Sequence, residues 1–423
     1  MASFSFDAGN AAKLAALPLY AIGRLVTLLV PRGDEWVFGS AAGIGDGALA
    51  LWPVAVADGR RCVWLIGSAR EAAEAAARGI PTLPRRSLRG FWRTARAAVV
   101  VVTHGFGDVN RFAVSGAFVV QLWHGIPLKR IGLDSPVTSQ PPALLGRGVL
   151  ARAASQLVRL LYRAAARRIR VLPAASDLVR GRLESAFALP DDRVPVTGEP
   201  RVDVLSRGRP ADRRSIARAA IAQAAGSFDA RTRVVLYAPT WRDGQPDPAI
   251  PDADEWDAIA DVLRRHDAVL LVRSHPLGSG AYAPPAPTER VRMLGSEVVT
   301  DVTPLLSGVD VLVTDYSSLV FDSALVPVPV VFLAPDVARY ARTRGFYGTY
   351  PEVAGDGWAT TWAEAATQLD AVLGDDAEAS RRRARAEALS ERVHAHRDGG
   401  NSIRVYRAIL AGLRTGAAGR GRR

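Results

Sequence analysis

Cysteine and lysine are nearly absent from this 423-residue chain. Cys62 stands alone inside an apolar run at 61–66, which excludes a disulfide framework and a thiolate metal cluster and fits a reducing compartment. Histidine is scarce too. None of the six histidines falls in HxxxH or HExxH spacing, and no carboxylates cluster at ligand spacing, so nothing here carries a metal-hydrolase signature. A Walker loop and a GxSxG elbow are also missing, leaving phosphate to be handled by backbone amides, Arg, Lys and His. The apolar stretch 14–30 is broken by Pro18, Gly23 and Arg24 and is too short to span a bilayer; an interfacial helix is expected there instead. A strand-like run at 36–40 follows at once, without a cleavage site, which argues against a signal peptide.

Acidic residues are in deficit. Asp and Glu number 42 against 54 Lys and Arg, a formal net charge of +12 that calls for an anionic partner: nucleic acid, a membrane surface or a phosphorylated substrate. Arg147, Arg152, Arg159, Arg163, Arg167, Arg168 and Arg170 stud a helical stretch that also carries Val149, Leu150, Leu157, Val158, Leu160 and Leu161. Two readings fit this pattern. One is a membrane-surface helix, at about 1 kcal/mol per basic residue near anionic lipid, and the other a solvated helix packed on its own domain. Almost all the positive charge is written as Arg; the only lysines are Lys13 and Lys129. Lys129 is either a compact, rotatable ammonium needed at that point or a remnant of an Arg-biased composition.

What the chain has in abundance is short apolar runs separated by Ala- and Arg-rich helical segments. One series comprises residues 36–38, 62–66, 97–102, 117–122, 169–172 and 194–197, and a second comprises 234–237, 268–272, 309–314 and 328–333. Near-continuous apolar strands between helices predict parallel sheets covered on both faces. Two series predict two doubly wound α/β domains, the usual division for a chain of this length. The expected boundaries are an interfacial segment at 1–31, a first domain at 32–205, a second at 206–398, and a final helix with a frayed basic tail at 399–423.

Ligands of open parallel sheets bind beyond the carboxyl ends of the strands, so the residues after each run carry the functional expectation. After 117–122 comes Trp123-His124-Gly125-Ile126-Pro127-Leu128-Lys129, an imidazole, a turn and a cation in one place. His104 follows the run 97–102, and Thr240 and Arg242 follow 234–237. Arg273 and His275 follow 268–272, and Asp315, Ser317 and Ser318 open a helical stretch at 319–325. A serine at a helix start fits an anion on the exposed N–H groups, although a plain capping role fits as well. Gly43, Gly45 and Ala48 formally satisfy GxGxxA, but no acidic residue ends the second strand to hold a ribose, and Glu71 comes late for that role. The glycines are expected instead to let a loop, with Asp46, approach an interdomain cleft.

The ordered set WHGIPLK, TGEPRVD (197–203), YAPTWR (237–242), RSHP (273–276), TDYSS (314–318) and RGFY (344–347) resembles the CDP-glycerol glycerophosphotransferase family, over about residues 35–410. Any one of these motifs is weak, and their order makes the resemblance specific. It implies a GT-B architecture of two Rossmann-like domains across a cleft, with the donor nucleotide held mainly by the C-terminal domain. The activity implied is transfer of glycerol phosphate, or ribitol phosphate in relatives, from CDP-glycerol or CDP-ribitol to a hydroxyl of a lipid-linked acceptor, with release of CMP. It also implies a peripheral protein at the cytoplasmic face of an anionic membrane, with no permanently bound cofactor and no nucleic-acid partner; a divalent-metal requirement stays open.

Under the resemblance His124 is the general base on the acceptor hydroxyl, and His275 binds or protonates the donor pyrophosphate. Lys129, Arg273, Thr240 and Arg242 take the donor phosphates, with Asp315, Ser317 and Ser318 at the phosphate-binding helix start. Gly43, Gly45, Asp46, His104, Gly125 and Arg201 line the acceptor side. The chain departs from the family pattern at Ile126, where Thr is common, and at Gly47, which follows Asp46 where Asn is frequent. It departs again at Val202 in the PRND-like turn and at 348–350 after RGFY, which bears on donor identity. The rival readings are a nucleotide-sugar GT-B glycosyltransferase or epimerase, the latter calling for paired carboxylates in place of His, and a non-catalytic basic membrane- or nucleic-acid-binding protein.

Overall fold

The computed structural model describes residues 17–139, 146, 148–240, 242, 247–274, 282–286 and 288–420. His275, Trp241 and Arg147 lie outside the described residues, as do segments 1–16 and 421–423.

The chain divides into two compact units. The first holds residues 1–124, 130–203 and 398–423; the second holds 125–129 and 204–397. In the first, six strands run in parallel: β1 (Trp36–Phe38), β2 (Cys62–Ile66), β3 (Thr82–Pro84), β4 (Val99–Val102), β5 (Phe118–Gln121) and β6 (Ile169–Val171). Their order is β3-β2-β1-β4-β5-β6. β4 is four consecutive valines, all buried, as a strand covered on both faces requires. On one face Phe38 meets Trp52 edge-on at 5.0 Å and Trp64 in a stack at 6.1 Å.

In the second unit β7 (Arg233–Ala238), β8 (Ala268–Val272), β9 (Val291–Met293), β10 (Val311–Thr314) and β11 (Val330–Phe332) form a parallel sheet ordered β11-β10-β7-β8-β9. Both sheets start centrally, grow to one side and then reverse. The reversal falls between β1 and β4 in the first and between β7 and β10 in the second. At such a switch point the loops leave in opposite directions and open a crevice for ligand.

Some sequence expectations change. The run 194–197 contributes only an isolated bridge between Ala174 and Val196, because Pro195 has no N–H to continue a ladder. β3 and β9 escape notice in the sequence, each being three residues long and at a sheet edge.

The last helix, Asn401–Arg420, belongs to the first unit. Val405, Tyr406 and Ile409 join its core, and Tyr406 lies 5.5 Å from the Trp36 ring. The buried carboxylate of Asp203, the end of the TGEPRVD motif, accepts Asn401 N–H at 2.9 Å and Ser402 N–H at 2.8 Å. It thereby satisfies two of the helix's first N–H groups and complements its dipole. Gly198 of the same motif has φ +74°, and a Cβ there would meet Asn401 Oδ1 at 2.2 Å, so no other residue fits.

Candidate functional site

In the first unit the switch-point loops and the neighbouring end of β5 carry the reactive groups. The chain leaves β5 through Trp123 at φ +63°, a left-handed conformation that a bulky side chain seldom adopts. Packing enforces it: the indole sits edge-on to Phe187 at 5.1 Å and tilted over the His124 ring at 4.2 Å. Gly125 follows at φ +127°, where a Cβ is disfavoured. The result is a half-buried imidazole presented at the strand end.

His104 lies against it, the two rings stacked 4.4 Å apart and 9° from parallel. His104 Nδ1 is 2.7 Å from Thr103 Oγ1, which is 2.8 Å from Ser40 Oγ and 3.3 Å from Asp108 Oδ2. The same Asp108 oxygen accepts the N–H groups of Thr103, His104 and Gly105 at 2.9, 2.7 and 3.2 Å. Burial pushes the Asp108 carboxyl up from the ordinary range, opposed by the nearby His104 and by those backbone donors.

Asp46, at φ +61°, opens the helix Asp46–Ala57; its Oδ1 accepts Gly47 N–H at 2.6 Å and Arg201 Nε–H at 3.1 Å. Gly47 packs so closely on Leu122 that a Cβ would lie 3.3 Å from its Cδ1. The structure thus joins His104 directly to His124, and the Asp46–Arg201 pair to the same strand end through Leu122. Gly43 has φ +88° and Gly45 is extended, both in the loop before this helix.

Residues 125–129 belong to the second unit, where Lys129 bridges antiparallel to Phe346 of the RGFY motif and Tyr347 N–H donates to Leu128 O at 2.9 Å. Burial, with Arg344 as the next contributor, pushes the Lys129 amine down to about 8, while Asp315 acts in the opposite sense. Lys129 therefore has charged groups of both signs within electrostatic reach.

Arg242 and Arg273, expected as phosphate cations, both hold parts of the protein itself. The buried Arg242 guanidinium pairs with Asp315 at 2.9 Å and with both oxygens of Asp336 at 2.9 and 3.0 Å, and donates to the Thr240 carbonyl. It also faces the rings of Tyr316 and Tyr340 at 4.9 and 5.0 Å. Arg273 donates to the carbonyls of Leu294, Val299 and Thr300 at 3.1, 2.8 and 3.2 Å, and so fixes the loop after β9.

Asp315 Oδ1 accepts Thr240 N–H and Tyr316 N–H at 2.8 and 2.6 Å, tying the ends of β7 and β10 together. Among the described residues this leaves Thr240 Oγ1 buried without a hydrogen-bond partner beside that switch point. Ser317 Oγ accepts Leu319 N–H at 3.2 Å, whereas the Ser318 side chain makes no cap hydrogen bond. The helix they begin is only Leu319–Ser323, shorter than expected, so its dipole is correspondingly small.

His394 is buried, with Nε2 2.9 Å from the Phe321 carbonyl oxygen. Tyr316 and Asp336, missed in the sequence, complete the Arg242 cluster; Tyr316 OH donates to Asp336 at 2.8 Å.

Two parallel α/β units, each with polar groups gathered at its switch point, define a two-domain α/β protein. The chain belongs to the CDP-Glycerol:Poly(glycerophosphate) glycerophosphotransferase family, whose pattern matches residues 37–411. It is 29% identical over 280 residues to a teichoic acid glycerol-phosphate transferase of Staphylococcus aureus, covering 64% of this chain and 66% of that one. It is also 29% identical over 240 residues to a teichoic acid poly(glycerol phosphate) polymerase of Staphylococcus epidermidis, covering 55% of this chain and 31% of that protein. The chain thus spans about a third of that polymerase and just under two thirds of the transferase. In fold it matches a variant of the wall teichoic acid polymerase TagF soaked with CDPG, with a TM-score of 0.73 at 21% identity, over 96% of this chain and 97% of that one.

Proposed function

We propose that this protein transfers glycerol phosphate, or a related polyol phosphate, from a CDP-linked donor to a hydroxyl of a lipid-linked cell-envelope polymer or primer, on a GT-B type scaffold. The family match across residues 37–411 carries this reading, and the strained presentation of His124 at the end of β5 supports it. The acceptor oxygen attacks the phosphorus that bears the polyol. A new P–O bond forms, the bond to the CMP oxygen breaks, and His124 takes the acceptor proton. Lys129 and His275 neutralise charge on the diphosphate and the departing CMP, while Thr240, Ser317 and Ser318 offer hydroxyl or N–H donors. In such a transfer, positioning and electrostatics supply most of the acceleration.

The test is nucleotide release from CDP-glycerol, CDP-ribitol and a panel of UDP-sugars with a lipid-linked acceptor extract. CMP from a CDP-polyol alone is the expected result. UDP from a sugar donor would overturn the reaction while keeping the fold.

A pH prediction follows from Lys129. An amine at about 8 loses its charge as pH rises through that value, so kcat/KM for the donor falls on the alkaline side of about pH 8. Lys129→Arg, charged throughout, is expected to lack that limb, and a limb that persists in the variant would exclude Lys129 as its source.

We also place the protein at the inner membrane surface. Among the described residues no helix is long and apolar enough to cross a membrane. Two helices of the first unit nevertheless leave apolar side chains in water. On Leu17–Leu29, Gly23 lies so near Phe112 that a Cβ would meet its carbonyl oxygen at 2.2 Å, while Leu28 and Leu29 are 73% and 75% exposed. On Val149–Ala166, Val149 and Leu150 are 78% and 72% exposed beside Arg152 and Arg163. Arg24, on the first of these helices, and Arg168, two residues past the end of the second, lie within electrostatic reach of each other. Replacing Leu25, Leu28, Leu150 and Leu160 with Glu is expected to lower sedimentation with anionic vesicles at least tenfold. Unchanged sedimentation would refute the placement.

A further inference from the structure

The proposed reaction gives a role to one imidazole of the first unit, yet the structure presents two, face to face. The His104 ring is neither a loose surface group nor part of the hydrophobic core. Its Nδ1 is held 2.7 Å from Thr103 Oγ1, and that hydroxyl leads to Asp108, a carboxylate so enclosed that its relations are with its own loop. Three backbone N–H groups fix the Asp108 oxygen, and Ser40 of the loop after β1 fixes the Thr103 hydroxyl. Each link is anchored independently, so the ring plane is set before any substrate arrives. Stacking on this ring at 4.4 Å and 9° from parallel, together with the tilted contact to Trp123, constrains the plane of the His124 imidazole.

We propose that His104 is a positioning residue for His124: held through Thr103 and Asp108, it fixes the plane of the His124 imidazole and disfavours a second positive charge on the stacked pair. This rests on the reading of His124 as the acceptor base. The physical ground is that two like charges at this separation repel, so a stacked imidazole pair binds its protons in two separated steps that belong to the pair. That repulsion weighs against a second proton on the pair, so one of the two imidazoles is left in its base form. Of the charged groups on elements packed against this strand end, Asp46 and Arg201 pair with each other at 3.1 Å, and the buried Glu199 lies two residues before Arg201.

The experiment is an imidazole NMR titration of the full chain labelled with [15N]histidine, whose six histidines keep the spectrum assignable by single substitutions. The wild type is expected to show the His104 and His124 signals moving together in two steps separated by about one pH unit or more. In His104→Phe, which keeps an aromatic face against His124, a single His124 step is expected at higher pH than the wild-type lower step. Should that variant not fold, Thr103→Val retains both rings and removes the link to Asp108; the two steps are then expected to draw together as the His104 ring loses its fixed plane. Independent single steps in the wild type, or a His124 step untouched by both variants, would overturn the proposal.

A kinetic arm separates this proposal from the function on which it rests. The acidic limb of kcat/KM for acceptor is expected to move about one unit to higher pH in His104→Phe. A merely structural role would lower the rate without moving the limb. If the NMR coupling holds while no CDP-polyol is turned over, the transferase reading fails and the pairing stands.

Discussion

Under the proposed reaction, replacing His124 with alanine is expected to lower polyol-phosphate transfer by about 10²–10⁴-fold, the range that a positioned general base supplies. The loss is expected mainly in kcat, because in that reaction the imidazole acts on the proton that leaves the acceptor in the transition state, while donor binding is assigned to other groups. His124 is half-buried at a strand end and its ring packs on Trp123 and His104, so the variant is also expected to lose some stability, which the melt separates from the loss of rate. The measurement is CMP release at saturating donor across pH, beside a thermal melt. Near wild-type turnover with an unchanged pH profile would remove His124 from the chemistry.

The second large effect concerns stability. Arg242 lies in the second unit between Asp315 and Asp336, under the rings of Tyr316 and Tyr340, and its guanidinium is the counter-charge for both carboxylates. In Arg242→Met two carboxylates face each other without it, one of them deeply buried, and removing one partner from a buried pair costs about 3–5 kcal/mol. For a unit of this size that corresponds to a fall in Tm on the order of 10 °C. Burial pushes the Asp315 carboxyl up from its ordinary range, against the pull of Arg242. Without the guanidinium its protonated form becomes easier still to populate, so the variant's deficit is expected to narrow as pH falls toward the carboxylate range. A melt at neutral pH within 1 or 2 °C of the wild type, a margin set by this scaling, would contradict the account.

The two arginines also show where sequence reading stops. Type and strand-end position identify Arg242 and Arg273 as cations near a ligand site, and they do sit beyond β7 and β8. The partner that claims Arg242 is Asp336, 94 residues further on, and the partners of Arg273 are backbone carbonyls of the loop after β9. Neither leaves a mark in local spacing. The strands themselves were legible wherever burial on both faces produced an unbroken apolar run, as in the four valines of β4. They were illegible where three partly exposed residues sufficed, as in β3, or where Pro195 sat inside an apolar run and prevented a ladder. His124 was legible because a reactive side chain stood next to a glycine at the end of such a run. The stacking of His104 on it was not, since residues 20 apart in sequence meet only because β4 and β5 are hydrogen-bonded neighbours.

The return of the helix Asn401–Arg420 to the first unit bears on how the protein is made. Translation releases the six strands of the first sheet early, yet Val405, Tyr406 and Ile409 of its core and the N–H groups that Asp203 awaits are synthesised after the whole second unit. The usual order, in which the N-terminal domain finishes first on the ribosome, is therefore inverted. The second unit has nearly all its sequence in hand by residue 397 and can close around its own sheet, while the first waits with one face of Trp36 uncovered. A nascent chain of this protein keeps apolar surface of the first unit exposed until residues 401–409 have been made and released.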